Sequence, residues 1–161
     1  MRTALRVVLL VLACSCAQAA PRYYGSVPQA ELALNGISLG ATETQVTAIL
    51  GLPPMVRQLP KPDGDQSTVE WVFANLNVGF RNGRVVTLSC YRQVCRTPAG
   101  IAVGDSVSAF KTAYGRTTTV YIDNQLGISV YRVSGSQTCA IRIEHDMGVV
   151  VGIDAACNWR F

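Results

Sequence analysis

Four cysteines offer the most definite chemistry in this sequence. They are Cys90, Cys95, Cys139 and Cys157, the four of the six cysteines that lie outside the predicted N-terminal export signal of residues 1–19. An even number of cysteines in an exported chain indicates disulfides, and their spacing here is not that of a zinc site. Four cysteines allow three pairings, and all three stay open at this point. Pairing Cys90 with Cys95 would close a short loop, and pairing Cys139 with Cys157 would join two terminal strands.

The single histidine, His145, stands between Glu144 and Asp146. An imidazole beside carboxylates could act as a general acid or base. The same stretch is typical of a tight turn, and a solvent-exposed turn histidine is the interpretation that we favour. Asp63 and Asp65 have the spacing of the first calcium-loop ligands, but the other ligands are missing. We therefore expect no catalytic residue, no metal site and no cofactor, and so no enzyme.

Recognition is the remaining chemistry, since Tyr, Trp and Arg carry much of the binding energy at protein interfaces. Tyr91 and Arg92 lie inside the short loop between the first two cysteines, where a disulfide would preorganise them. Met55 and Arg57 lie in a long polar segment, and Trp159 lies near the C-terminus. These five residues are the predicted partner-binding residues, and the first two are preferred.

Residues 1–19 have the composition of a secretory signal peptide. Two arginines precede an apolar run, and Ala17-Gln18-Ala19 is an A-x-A cleavage site, so we predict cleavage after Ala19. The apolar run is far shorter than a membrane span. In an alternative interpretation, Val11-Leu12-Ala13-Cys14 is a lipobox, and Cys14 becomes the lipidated first residue. The first interpretation predicts a periplasmic or secreted protein, and the second predicts an outer-membrane lipoprotein.

Charge excludes one class of partner. The net charge of +4 falls to +2 when the two arginines of the signal peptide are removed. This charge is too small for a nucleic-acid-binding protein, so we expect a protein partner and no nucleic acid. We expect membrane contact only if Cys14 is lipidated.

Two short helices are predicted, each between a hydroxyl residue and a glycine. Thr42 and Ser106 are N-cap candidates, because a hydroxyl oxygen can accept a free backbone N–H at a helix start. Gly51 and Gly115 end the helices, as glycine does by adopting the left-handed conformation. A Gly-Ile-x-aliphatic-Gly pattern precedes both helices, which indicates a duplication.

Strand patterns follow each helix. Alternating apolar residues predict antiparallel strands between residues 68 and 90 and again between residues 117 and 153. Asn82-Gly83 predicts a tight hairpin turn. The proline-rich residues 52–66 predict a long loop without regular structure.

These patterns together predict an α+β fold of two tandem repeats, each a short helix plus antiparallel sheet. Residues 20–35 form a lead-in segment, residues 36–95 the first repeat, and residues 96–161 the second repeat. This length suits one domain, or two small repeats that share a core.

The predicted repeats also carry a resemblance to known families. The first motif runs Ile37-x-x-Gly40-x-Thr42-x-x-x-Val46-x-x-x-Leu50-Gly51-x-Pro53, then Trp71-x-Phe73, then Leu76-x-Val78-x-Phe80-x-x-Gly83-x-Val85. It resembles the BamE (SmpA/OmlA) domain of small outer-membrane lipoproteins of the barrel-assembly machinery. The doubling is more similar to the β-lactamase inhibitory protein family, a secreted tandem repeat with disulfides. The resemblance implies a protein-binding function, but it assigns no functional residue.

Export, predicted disulfides and the lack of a catalytic pattern lead to one main hypothesis. We expect an exported, disulfide-stabilised protein-binding module, such as an inhibitor or immunity protein of an envelope or secreted enzyme. The alternative hypothesis is an outer-membrane-anchored lipoprotein of envelope assembly or structure. The sequence does not identify the partner.

Overall fold

The computed structural model describes residues 25–59, 68–91, 94–122, 126–136 and 138–157. Within these ranges the protein is mostly β, with eleven strands, two α-helices and a short 3-10 helix at Gln29–Glu31. The strands are β1 (Ser26–Val27), β2 (Ala33–Leu34), β3 (Ile37–Ser38), β4 (Met55–Leu59), β5 (Thr68–Val72), β6 (Asn77–Arg81), β7 (Arg84–Cys90), β8 (Thr119–Tyr121), β9 (Gly127–Val133), β10 (Cys139–Asp146) and β11 (Val149–Cys157). The α-helices are α1 (Glu43–Leu50) and α2 (Val107–Tyr114).

Nine of these strands form one mixed sheet in the order β1-β9-β10-β11-β7-β6-β5-β4, with β8 also paired to β9. Strand β1 runs parallel to β9, while β7 and β11 pair antiparallel and join the two halves of the chain. The predicted α+β fold of two helix-plus-sheet tandem repeats is therefore wrong. The physical reason is that edge strands have unpaired backbone groups, and pairing β7 with β11 satisfies them across the halves.

The proline-rich segment also differs from the prediction. Met55–Leu59 forms strand β4, which pairs antiparallel with β5 at one edge of the sheet. Its side chains are exposed or half-buried and do not alternate between apolar and polar, so periodicity gives no strand signal. Residues 60–67 lie outside the described ranges.

Both predicted helix starts are confirmed. Thr42 and Gln45 form a capping box, in which the Gln45 N–H donates to Thr42 Oγ1 at 3.3 Å and the Thr42 N–H donates to Gln45 Oε1 at 2.8 Å. The Ala109 N–H donates to Ser106 Oγ at 3.1 Å. The glycine after each helix has a φ of 78°, so the predicted helix ends are confirmed as well.

The two helices cover one face of the sheet, which we call the core face. Val46 of α1 and Phe110 and Tyr114 of α2 are fully buried in its hydrophobic cluster. The largest fully buried side chains that the sheet contributes are those of Phe80, Leu88, Tyr131, Ile141, Ile143 and Ile153. The opposite face, which we call the open face, receives the alternate residues of the same strands.

The turn between β10 and β11 begins after His145, which the sequence pattern predicts to lie within it. Met147 and Gly148 form its two central residues, with φ of 44° and 84°. His145 therefore belongs to β10, where its side chain points to the core face and packs against Phe110. The predicted exposed turn histidine is wrong, because a two-residue hairpin leaves no room for it in the turn. The predicted Asn82-Gly83 turn is confirmed.

The prediction of disulfides is confirmed. Cys90 is bonded to Cys95, and Cys139 is bonded to Cys157. The second pair follows from strand register, because Cys139 and Cys157 lie directly opposite each other in the β10–β11 hairpin. Two disulfides fit an exported protein, since they persist in oxidising compartments.

Candidate functional site

Tyr91 lies on the open face and is anchored from the core face. Cys90 is the last residue of β7, and its disulfide with Cys95 is buried in the core. Tyr91 follows directly and is 54% exposed. Its ring lies over Gly152 of β11, where an added Cβ would come within 2.7 Å of a ring carbon. Gly152 therefore permits the close approach of the ring to the strand.

The hydroxyl of Tyr91 joins a charged group that we call the Tyr91 cluster, which consists of Tyr91, Arg142, Glu144 and Asp154. The hydroxyl donates to Oδ1 and Oδ2 of Asp154 at 3.3 and 3.4 Å. Arg142 donates to Asp154 Oδ2 from Nε at 3.0 Å and from Nη2 at 2.7 Å. Nη2 also lies 2.8 Å from Glu144 Oε1. One guanidinium therefore serves two carboxylates.

Strand register brings these charges together. In the β10–β11 hairpin, Arg142 lies opposite Asp154 and Glu144 lies opposite Gly152. Asp154 is only 2% exposed although it lies on the open face. A carboxylate at such a position requires a charged partner and hydrogen bonds, which Arg142 and Tyr91 supply.

Two groups of the cluster have perturbed acidity. Burial, together with the negative charges of Asp154 and Glu144, raises the pKa of Tyr91 to about 12. Burial also raises the pKa of Glu144; Arg142 opposes this shift and Asp154 adds to it. The tyrosine is therefore a neutral hydrogen-bond donor at physiological pH, and Glu144 is a carboxylate whose charge is only partly compensated.

An apolar groove of about 620 Å³ begins at the ring of Tyr91. We call it the valine groove; it is lined by Tyr91, Val94, Val103, Val149, Val150 and Val151, with Asn75 and Gly104. Val94 and Val149 expose much of their side chains. The ring of Tyr91 thus separates an apolar groove from a charged cluster.

The structure places two of the other predicted binding residues, Met55 and Arg57, away from Tyr91. Met55 and Arg57 are exposed on β4, which is separated from β7 by β5 and β6. Arg57 Nη2 pairs with Glu70 Oε2 at 2.6 Å across β4 and β5. Arg92, Trp159 and Cys14 lie outside the described residues. Among the predicted binding residues that the structure describes, Tyr91 alone lies beside both a charged cluster and a groove.

Three residues of the cluster were missed by the sequence analysis. The sequence patterns assign no binding role to Arg142, Glu144 and Asp154. Glu144 enters only as a neighbour of His145, and Asp154 lies just beyond the predicted strands. A usable signal was present, because the register that puts Cys139 opposite Cys157 also puts Arg142 opposite Asp154.

Another polar group lies on the core face. The His145 Nε2 is 3.4 Å from Ser129 Oγ, which is 2.9 Å from Thr119 Oγ1. Ser129 and His145 are 1% and 4% exposed. Burial and the charge of Lys111 lower the pKa of His145. The pair is a neutral imidazole and a hydroxyl enclosed in the core, although a serine–histidine contact can form a nucleophile and base where substrate reaches it.

In the part of the chain that the structure describes, no three His, Cys, Asp or Glu side chains come together as a metal-binding group. Nor does any helix in those ranges have the length and apolar character that crossing a membrane requires.

No protein-family model and no curated protein sequence matches the chain. Among solved structures, an extracellular protein containing a SCP domain from Bacillus anthracis str. Ames has a TM-score of 0.52 and 13% identity, over 74% of this chain and 44% of that one. A DUF4309 family protein from Bacillus subtilis has a TM-score of 0.45 and 12% identity, over 83% and 88%. A proposed beta-lactamase inhibitor protein from Streptococcus mutans has a TM-score of 0.32 and 16% identity, over 72% and 82%.

The likeness to the Bacillus anthracis protein concerns the fold, and this chain spans less than half of that protein's length. The other two TM-scores lie below 0.5 and are weak likenesses. The expected resemblance to a β-lactamase inhibitory protein thus has only a weak structural counterpart. No tandem BamE repeat appears in these comparisons.

Proposed function

We propose that this protein is an exported protein-binding module that contacts its partner through the open face around Tyr91. The observation that carries the proposal is the way Tyr91 is presented. The residue is more than half exposed, yet Gly152 lies beneath its ring, Asp154 accepts from its hydroxyl, and a disulfide anchors the preceding residue. A side chain that is immobilised before binding loses little entropy in the complex, and tyrosine is frequent at binding hot spots.

The valine groove supports the same surface. Hot spots combine an aromatic or basic anchor with a neighbouring pocket from which water is excluded on binding. Val94 and Val149 are exposed beside Tyr91, so a partner could bury the ring and the groove in one contact. Burial of such apolar surface favours association.

Within this proposal the protein acts by binding and not by catalysis. The Ser129–His145 pair supports it, because both side chains are enclosed in the core and the imidazole has a lowered pKa. The finer proposal is that the partner is an envelope or secreted enzyme, which the protein inhibits or to which it confers immunity. Export supports this finer proposal, since both proteins would share a compartment.

A capture experiment tests the proposal. Tagged full-length wild type, Tyr91→Ala and Tyr121→Ala would be produced in the native host, and captured proteins would be quantified by mass spectrometry. Tyr121 is a matched control, because it is an exposed tyrosine on β8. We expect a partner that wild type and Tyr121→Ala capture equally and that Tyr91→Ala captures at least about tenfold less. Equal capture by all three forms would contradict the proposed surface.

The N-terminus of the mature protein separates the main proposal from the lipoprotein alternative. We propose a free N-terminus at Ala20, which follows cleavage after Ala19. Intact-mass spectrometry of the purified full-length product would detect it. A mature protein that begins at an acylated Cys14 would instead support an outer-membrane-anchored lipoprotein.

A further inference from the structure

Glu144 is the more exposed of the two carboxylates in the Tyr91 cluster. Its Oε1 lies 2.8 Å from Nη2 of Arg142. Oε2 lies close to the strand, 3.1 Å from the position that a Cβ on Gly152 would occupy, and the ring of Tyr91 lies beside the same position. The Glu144 side chain is only 18% exposed. A partly buried carboxylate that shares its cation with a second carboxylate would gain from a further cationic donor.

The charge of the cluster is also incomplete. Two carboxylates share one guanidinium, so the Tyr91 cluster has one excess negative charge. Arg142 donates to Asp154 from both Nε and Nη2, and Nη2 also lies 2.8 Å from Glu144 Oε1. Asp154 is therefore the better-paired carboxylate, and Glu144 is the one that an external positive charge would complement.

The surroundings of Glu144 match a long basic side chain. The exposed ring of Tyr91 can face a cation, which is attracted to the electron-rich face of an aromatic ring. The valine groove begins at the same ring and can take the aliphatic stem of lysine or arginine, since these side chains bury their methylene groups along apolar surface. An acidic or purely aliphatic side chain would fit only part of this surface.

We propose that the Tyr91 cluster and the valine groove together bind a basic side chain, arginine or lysine, presented by the protein partner. The cationic head contacts Glu144 Oε2 and the ring of Tyr91, and the stem lies along the valines. The inference rests on the proposed function, because it specifies the partner chemistry of the same surface. It assigns Glu144 as a specificity-determining residue, which neither the sequence pattern nor the comparisons single out.

A display experiment tests this inference without a known partner. A random dodecapeptide phage library would be selected on the full-length protein, with Tyr91→Ala as counter-selection. We expect enriched peptides to share an arginine or lysine at one fixed position beside an apolar residue. Synthetic peptides of the enriched sequence, with and without replacement of that basic residue by norleucine, would then be titrated by calorimetry.

Two isosteric variants decide the role of Glu144. Glu144→Gln removes the negative charge in the cluster, and Glu70→Gln removes one from the distant Arg57 pair on β4 and β5. We expect Glu144→Gln to weaken binding of the basic peptide by about tenfold or more and Glu70→Gln to change it little. The norleucine peptide should bind wild type and Glu144→Gln alike. Thermal melts and circular dichroism would verify that both variants are folded.

The failure of the inference differs from the failure of the proposed function. Enriched peptides that depend on Tyr91 but have no basic position would overturn the inference and leave the binding module intact. Equal effects of Glu144→Gln and Glu70→Gln would do the same. A library from which the folded protein selects no Tyr91-dependent peptide would overturn both.

Discussion

The two faces of the sheet use the same strands for different purposes. On the core face, Leu88, Ile141 and Ile153 are fully buried beneath the helices. On the open face, their strand neighbours Arg142 and Asp154 form a charged cluster. Because successive side chains of a strand point to opposite faces, one stretch of sequence can stabilise the fold and present a site at once. The difference shows where stability and recognition can be changed separately.

The largest expected effect comes from a change on the core face. Leu88→Ala removes a fully buried side chain from β7 and should lower the free energy of unfolding by about 2–5 kcal/mol. Ser89→Ala is the matched control, since Ser89 is the next residue and lies on the open face. We expect Ser89→Ala to change stability by less than about 0.5 kcal/mol. Urea denaturation measures both, and equal losses would contradict the division between the faces.

A similar loss is expected from one position on the open face itself. Arg142→Met leaves the Asp154 carboxylate, which is 2% exposed, without its cationic partner. We expect this change to lower the free energy of unfolding by about 3 kcal/mol. Arg57→Met breaks the more exposed pair with Glu70 and should cost less than about 1 kcal/mol. Similar costs in urea denaturation would mean that burial of Asp154 does not govern the cluster.

Removing either disulfide should lower stability, but only removal of the Cys90–Cys95 disulfide should also weaken binding. Cys139→Ala with Cys157→Ala opens the larger loop and should lower stability by about 3 kcal/mol, with little effect on capture through Tyr91. Cys90→Ala with Cys95→Ala opens a smaller loop and should lower stability by about 2 kcal/mol. It should also reduce Tyr91-dependent capture, because it frees the residue next to Tyr91. Thermal melts measure the stability of both double variants, and the capture assay measures their binding. Unchanged capture by the Cys90→Ala, Cys95→Ala variant would mean that this disulfide does not anchor Tyr91 for binding.

Local features of the fold could be predicted from the sequence. The capping hydroxyls of Thr42 and Ser106 and the Asn82-Gly83 turn act on residues a few positions away, so a short pattern contains the relevant physics. The β7–β11 pairing could not be predicted in this way. It joins distant segments through backbone hydrogen bonds, which any strand can make, so no local pattern specifies the neighbour. The error at Met55–Leu59 has another cause, since the side chains of this strand do not alternate between apolar and polar.

The candidate site was predicted in part. Tyr91 was identified by its residue type and its position between two cysteines. Its neighbours required two further steps: counting the hairpin register, which pairs Arg142 with Asp154, and knowing that the cluster and Tyr91 share a face. The second step depends on the β7–β11 pairing, where Ser89 lies opposite Asp154. An error in long-range pairing therefore becomes an error in the composition of the site.

The smallest expected effect is on the pH dependence of stability, to which a residue of the core face and a residue of the open face should contribute with opposite sign. His145 on the core face has a pKa below that of an unfolded chain, so unfolding takes up a proton and stability should fall as pH drops below about 6.5. Glu144 on the open face has a raised pKa, so its protonation at lower pH should favour the folded state. His145→Gln should flatten the loss of stability as pH falls below about 6.5, and Glu144→Gln should remove the opposing gain as pH falls towards about 4.5. Urea denaturation across this range measures both slopes; a slope that His145→Gln leaves unchanged would mean that the imidazole is not the titrating group of the core.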